Sequence, residues 1–277
     1  MRKHGDALLT AAVWLATALV VGAFLWLLGD VVIHGIGKLD AAFLLDAPQN
    51  AGRDGGIAPI LVSTLLILVV ALAVAVPLGL ATAVYLSEYA AAQLAKPLRV
   101  CLNMLAGVPS IVFGLFGNAL FCVALGMGFS IWSGGLTLAC MMLPLFIVTT
   151  ESGLSAVSSE WRRGAAALGL SRAAALWHIL LPAAAPAITA GLMLGIGRAL
   201  AETAALIFTS GYVDRMPESL SDSGRALSVH IYDLSMNVSG GDAAAYGSAL
   251  VLIVLILAIN SVAVNLTERF LQARTTA

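Results

Sequence analysis

The sequence predicts an all-α membrane protein with six transmembrane helices, and three observations predict it. Hydrophobic residues make up 60% of the 277-residue chain and charged residues only 10%, whereas soluble domains carry about 25% charged residues. Several apolar runs exceed the roughly 18–20 residues needed to cross a bilayer. The runs are also continuous, unlike the alternating segments of about ten residues that build a transmembrane β-barrel.

The first run, 7–28, follows a short basic start with Arg2 and Lys3. It is longer than the roughly 7–15-residue core of a signal peptide, and no small-x-small cleavage pattern surrounds its end, so an uncleaved helix is expected. Residues 29–56 are rich in Gly and Asp and read as an extramembrane loop. The chain is therefore divided into 1–56, one span and its loop, and 57–277, a core with the other five spans. The second run, 57–86, contains Pro77 and Gly79, which should kink it. Residues 87–99 read as a polar turn. The third run, 100–125, should bend or break at Pro109, which lacks a backbone donor. The fourth run covers 136–150 and begins near 130; the fifth is 188–210 and the sixth 246–266, with an acidic loop at 211–245 between them.

Residues 151–185 break this pattern. They carry Glu160, Arg162, Arg163 and Arg172 and two aromatic anchors, Trp161 and Trp177. The spacing predicts two short helices, about 159–168 and 172–181, with Gly169 at a helix C′ position, Ser171 as an N-cap and Pro182 as the stop. The segment reads either as a docking element for a soluble partner or as a connector. At this length it is long for passive linkage, since most connections take about 4–6 residues.

Charge sets the expected orientation. The termini and the loops at 87–99 and 151–185 hold Arg2, Lys3, Lys96, Arg99, Arg162, Arg163, Arg172, Arg269 and Arg274; the other side holds Lys38, Arg53, Arg215 and Arg225. The excess of positive residues places both termini and 151–185 in the cytoplasm.

Arg198 and Glu202 stand inside the fifth run. A mid-bilayer charge costs roughly 2.5–3.5 kcal/mol on insertion scales and is seldom kept without a partner or a job. Four apart on a helix, the two should share a face. They read either as a self-neutralising structural pair or as the lining of a polar path, where an arginine fork suits phosphate oxygens. Gly191, Gly195 and Ala199, spaced by four, should admit a neighbouring helix closely. The cysteines Cys101, Cys122 and Cys140 are odd in number with no CxxC spacing, and no HExxH occurs, so neither a disulfide framework nor a metal site is suggested. The chain has no Walker A pattern of its own: Gly37-Lys38 is followed by Leu39.

Residues 163–182, ending in Leu181-Pro182 with Gly169 at the centre, resemble the cytoplasmic EAA loop of ABC-importer permeases. Segments 56–65, 76–89, 108–117 and 142–151 and the run Gly197-Arg-Ala-Leu-Ala-Glu-Thr203 are similar to the PstA-type permeases of phosphate-specific ABC importers, from about residue 55 to the C-terminus. Two positions depart from that family: Arg163 stands where its EAA motif usually has glutamate, and Val148 where a second arginine commonly precedes Thr149-Thr-Glu151.

The resemblance implies a type I ABC-importer permease fold with a coupling-helix loop, in a bacterial inner membrane. It implies a substrate path at Arg198, Glu202 and Thr203, and ATPase coupling through Arg163, Gly164, Ala165, Ala166, Gly169, Leu170 and Ser171. The implied function is ATP-driven import of inorganic phosphate by alternating access. The implied partners are a PstC-like sister permease, two copies of a PstB-like ATPase and a periplasmic PstS-like phosphate-binding protein, besides membrane lipid; no nucleic acid is among them. The chain itself is not expected to be an enzyme or to hold a cofactor, because ATP is bound by the partner. A related oxyanion, phosphonate or sulfate, is the alternative substrate. A stand-alone secondary transporter should show an internal repeat, and 151–185 has no counterpart in the first half. An intramembrane enzyme would need more acids inside the spans than Glu202.

Overall fold

The computed structural model describes residues 2–275; Met1, Thr276 and Ala277, at the ends of the two expected divisions, lie outside them. Helix α1 (Arg2–Gly35) is followed by short α2 (Ala41–Leu45) and a two-stranded antiparallel ribbon, β1 (Pro48–Gln49) with β2 (Asp54–Gly55). Then come α3 (Ala58–Val84), α4 (Ala92–Ala106), α5 (Ser110–Gly117) and α6 (Ile131–Ala156). The chain continues with α7 (Ser159–Ala167), α8 (Arg172–Ala175), α9 (Leu181–Leu200), α10 (Ala204–Ile207), α11 (Leu227–Met236) and α12 (Asp242–Thr275). Five helical stretches are long and apolar enough to cross a membrane, and counting the bent α4–α5 pair as one broken crossing gives six.

α6 is the centre of the bundle, packed between α3 and α9. Ile67, Val70, Ala71 and Ala75 of α3, Leu138, Met141 and Met142 of α6, and Ile196, Ala199 and Leu200 of α9 form one buried cluster. The expected small-residue stripe works as a groove for α6: a Cβ on Gly191 would lie 3.0 Å from Thr149, and one on Gly195 2.9 Å from Met142. α1 touches the rest mainly through α12, where Tyr246 donates to Asp30 at 3.0 Å and its ring lies 5.1 Å from that of His34. Residues 9–27 of α1 are exposed on every side.

Several expected boundaries move. α1 runs on to Gly35, and residues 92–99, expected as a turn, are the start of α4. The third crossing does break at Pro109, with a 97° bend between its halves. Pro182 does not stop a helix. Residues 172–200 form one continuous rod in which a π-turn, Leu176–Leu180, immediately precedes the proline. That wide turn accommodates a ring that lacks an N–H and would otherwise clash with the preceding turn. The 211–245 loop folds inward: α11 buries Leu227, Val229, His230 and Leu234.

Polar contacts separate the loops into two ends. At one, Ser130 bonds Thr209, Ile131 bonds Asp222, and the Leu227 N–H donates to Thr64 Oγ1. At the other, Arg162 meets Glu88 and Arg99 meets Glu151. The loops at 87–99 and 151–185 therefore share one end of the bundle, as the charge pattern requires.

Candidate functional site

The fifth crossing stops inside the bundle. Ala201 bonds back to Gly197 at 3.2 Å, Glu202 tightens onto Ala199 at 3.3 Å, and the chain then leaves the helix before α10. Its depth follows from the Gly195–Met142 approach. Met142 lies eleven residues into α6 from Ile131, about 16 Å at about 1.5 Å per residue. Arg198, one turn beyond Gly195, thus sits below the end of α6 at membrane depth.

Lipid cannot satisfy the backbone groups such a break frees, so protein must. Glu202 Oε1 accepts the Ala205 N–H at 3.0 Å. Ser228 of α11 donates to the Glu202 carbonyl at 2.6 Å. Asn118 Nδ2 donates to the Phe208 carbonyl at 2.7 Å. Gly114 permits this arrangement, because a Cβ there would lie 2.7 Å from Ala205 Cα. Ser228 and Asn118 had no signature in the sequence, since each acts on a chain segment remote from its own.

This geometry corrects the reading of Arg198 and Glu202 as neighbours on one helical face. Arg198 occupies the last turn of α9, Glu202 lies past its end, and no salt bridge joins them. Glu202 is buried and engaged as a cap, and Thr203 is half-buried at the start of α10. Arg198 is half-buried with no carboxylate partner among the described residues. Its neighbours along the helix, Leu194, Gly197 and Ala201, leave that face uncovered: Leu194 is exposed, Ala201 is exposed, and nothing lies within 4 Å of a Cβ on Gly197. The positive charge does lie near the α9 carbonyls, the favourable end of a helix for a cation.

The second feature is the elbow between α7 and α8. Gly169 adopts φ +72°, its N–H bonding the Ala166 carbonyl while the Leu170 N–H reaches that of Ala165, both at 3.0 Å. These are the paired bonds of a Schellman helix end. Ser171 Oγ accepts the Ala174 N–H at 3.2 Å, the N-cap expected of it. Of the coupling candidates, Arg163, Gly164, Ala166, Gly169, Leu170 and Ser171 are exposed. Ala165 is not: it is buried on the inner face of α7. Leu168, missing from that set, is 80% exposed at the tip, beside exposed Trp161.

Arg162 also escaped the sequence reading. Its Nε and Nη2 donate to the two Glu88 oxygens at 3.2 and 2.6 Å, and this pairing holds its guanidinium pKa above the usual arginine value. At the opposite end of the bundle, Arg225 lies 3.3 Å from Asp233, 3.9 Å from Asp214 and 3.5 Å from His230 Nδ1. His230 is fully buried against Gly52, its Nε2 without a hydrogen-bond partner, and burial pushes its pKa down to about 4 with Arg225 acting in the same direction. No cluster of metal-ligating side chains occurs among the described residues.

A broken span around polar groups, in a bundle too apolar for water, places the chain among membrane transport proteins. Residues 75–274 match the family described as "Binding-protein-dependent transport system inner membrane component". The chain belongs to that family. It is 29% identical over 94% of both chains to the "Probable ABC transporter permease protein YqgI" of Bacillus subtilis. It is 36% identical to the "Phosphate transport system permease protein PstA" of Mycobacterium leprae, covering 74% of this chain and 68% of that one. Among solved structures, a bacterial ABC transporter for import of the acidic polysaccharide alginate aligns with a TM-score of 0.62 at 14% identity, over 92% of this chain and 96% of that one. An inward-facing MetNI methionine ABC transporter gives 0.55 at 16% identity, over 79% and 94%. The architecture is thus the type I ABC-importer permease fold.

Proposed function

We propose that the chain is the membrane permease subunit of an ATP-driven importer of inorganic phosphate. Arg198 carries the reading: it is a half-buried guanidinium at membrane depth, on an uncovered helix face, with no carboxylate partner among the described residues. A charge so placed needs a compensating group from elsewhere. A phosphate oxyanion matches the fork of arginine donors. Relatives whose names give phosphate as the transported solute, such as the Mycobacterium leprae protein, support the choice of anion.

The exposed elbow is the docking surface for an ATPase, with Leu168 and Trp161 presenting apolar area that is left exposed among the described residues. The positive-inside balance places the elbow and both termini in the cytoplasm. ATP is bound and hydrolysed by two ATPase subunits, a sister permease completes the path, and a phosphate-binding protein delivers the anion at the opposite face. Motion of the ATPases on the elbow rocks the 172–200 rod, at whose far end Arg198 sits, and alternates access to the anion.

The test is Arg198→Leu in the assembled transporter. Phosphate uptake should be lost while the ATPase still co-purifies; normal uptake removes Arg198 from the mechanism. Competition by sulfate or phosphonate equal to that by phosphate would replace phosphate with a broader oxyanion class.

A further inference from the structure

We propose that Arg162 is a positioning residue that pins the elbow to two spans and carries the elbow's motion into them. The guanidinium has five donors in a rigid fork, and it uses them on two elements besides its own. Nε and Nη2 grip both oxygens of Glu88, at the end of the second crossing, at 3.2 and 2.6 Å. Nη1 donates to the Val157 carbonyl at 2.7 Å, and Nη2 to that of Leu154 at 2.9 Å. Those carbonyls belong to the last turn of α6 and its cap, where the regular helix bonds run out and that of Leu154 otherwise takes only the Val157 N–H at 3.3 Å. One side chain of α7 therefore ties the ends of α3 and α6 together.

Two kinds of contact reach α3 from this side of the bundle: Val84 packs on the Leu176 and Leu180 cluster of the 172–200 rod, and Arg162 supplies a polar link from α7 itself. α7 is joined covalently to α6 through 157–158 and to the 172–200 rod through 168–171, and it packs mainly on α8. Between the elbow and the end of α3 lies a cavity of about 320 Å³, lined by Glu88, Tyr89, Arg162, Ala165, Leu170 and Arg172. The Arg162–Glu88 pair lines this cavity and reaches from α7 to the end of the second crossing. The pair is mostly shielded, with 30% and 15% of its side-chain surfaces exposed, and its two-pronged geometry resists rotation better than a point contact. A second pair extends the link: Arg99 of α4 meets Glu151 of α6 at 2.6 Å, and Ser155 Oγ donates to the same carboxylate oxygen at 3.0 Å. Without the pin, α7 loses its polar hold on the end of the second crossing and only the apolar Val84 contact through the rod remains.

This inference rests on the transport function proposed above, and its test separates the two. The complete transporter is placed in proteoliposomes with its phosphate-binding protein, and labelled phosphate imported per ATP hydrolysed is measured for wild type, Glu88→Gln and Arg162→Lys. In Glu88→Gln this ratio should fall about fivefold or more, a change typical of lost coupling between sites, while ATP hydrolysis persists. Arg162→Lys keeps the charge but cannot reach both Glu88 oxygens and both carbonyls, so its ratio should fall as well. An unchanged ratio in either assembled variant overturns the proposal, even if total uptake drops. So does failure of both variants to assemble, which would make the pin a folding element alone. Wild-type vesicles that hydrolyse ATP but import no phosphate would instead defeat the substrate reading, and the ratio is then read with labelled sulfate.

Discussion

The burial of His230 makes the stability of the α11 end depend on pH in a window that can be worked out in advance. The imidazole is fully buried, faces Arg225 with Asp233 and Asp214 behind it, and has its pKa pushed down to about 4. Its unfolded value is about 6.5. Between these values the unfolded chain binds the proton that the folded chain refuses, so stability rises with pH. The contribution is fully present above about pH 6.5 and is lost as pH falls towards about 4. At about 1.36 kcal/mol per unit, the loss between about pH 7 and about pH 5 is about 2 kcal/mol, and about 3 kcal/mol by the end of the window. Thermal unfolding of the detergent-solubilised protein at the two pH values, for wild type and His230→Gln, measures it. Carboxylates that titrate nearby act on both proteins, so the difference between them isolates His230. The wild type should lose about 2 kcal/mol more than the variant; equal losses would show that the ring is not held neutral and buried.

Two further outcomes follow from the packing. A Cβ on Gly153 would lie 2.3 Å from that of Ala187, so Gly153→Ala should destabilise the α6–α9 contact by about 1–3 kcal/mol, and Gly153→Ala with Ala187→Gly should recover most of it in the same thermal assay. Gly169 has a positive φ but open space around it, so Gly169→Ala should cost about 1 kcal/mol through left-handed backbone alone. Faster hydrogen exchange at the amides of positions 169 and 170 in the variant would report that loss, whereas unchanged exchange would mean the elbow does not depend on its Schellman bonds.

Much of this was legible along the chain because the relevant physics is local. Apolar run length marks a crossing whatever surrounds it. Gly169 and Ser171 announce a helix end and a helix start within a few residues, and both are found there. Pro109 broke its span for the same local reason. Pro182 misled because a proline's effect depends on the turn before it: with a π-turn at Leu176–Leu180, the rod continues.

The candidate site was only half legible. An arginine in an apolar run is conspicuous, but whether Glu202 neutralises it depends on where α9 ends. Ser228 of α11 holds the Glu202 carbonyl just past that end, and Asn118, from the stretch after α5, holds the Phe208 carbonyl beyond α10. Arg162 looked like one more cytoplasmic positive charge until Glu88, 74 residues away, was found between its prongs.

By itself the sequence determined the class of solvent, the number of crossings, the side on which positive charge gathers and the local elbow motif, all of which depend on near neighbours or on composition. The tertiary structure alone decided that Arg198 lacks a carboxylate partner among the described residues, that Glu202 is a cap and that Arg162 links α7 to the ends of two other spans. Those outcomes depend on which remote backbone groups a broken helix leaves open, and the folding of other segments onto them decides that.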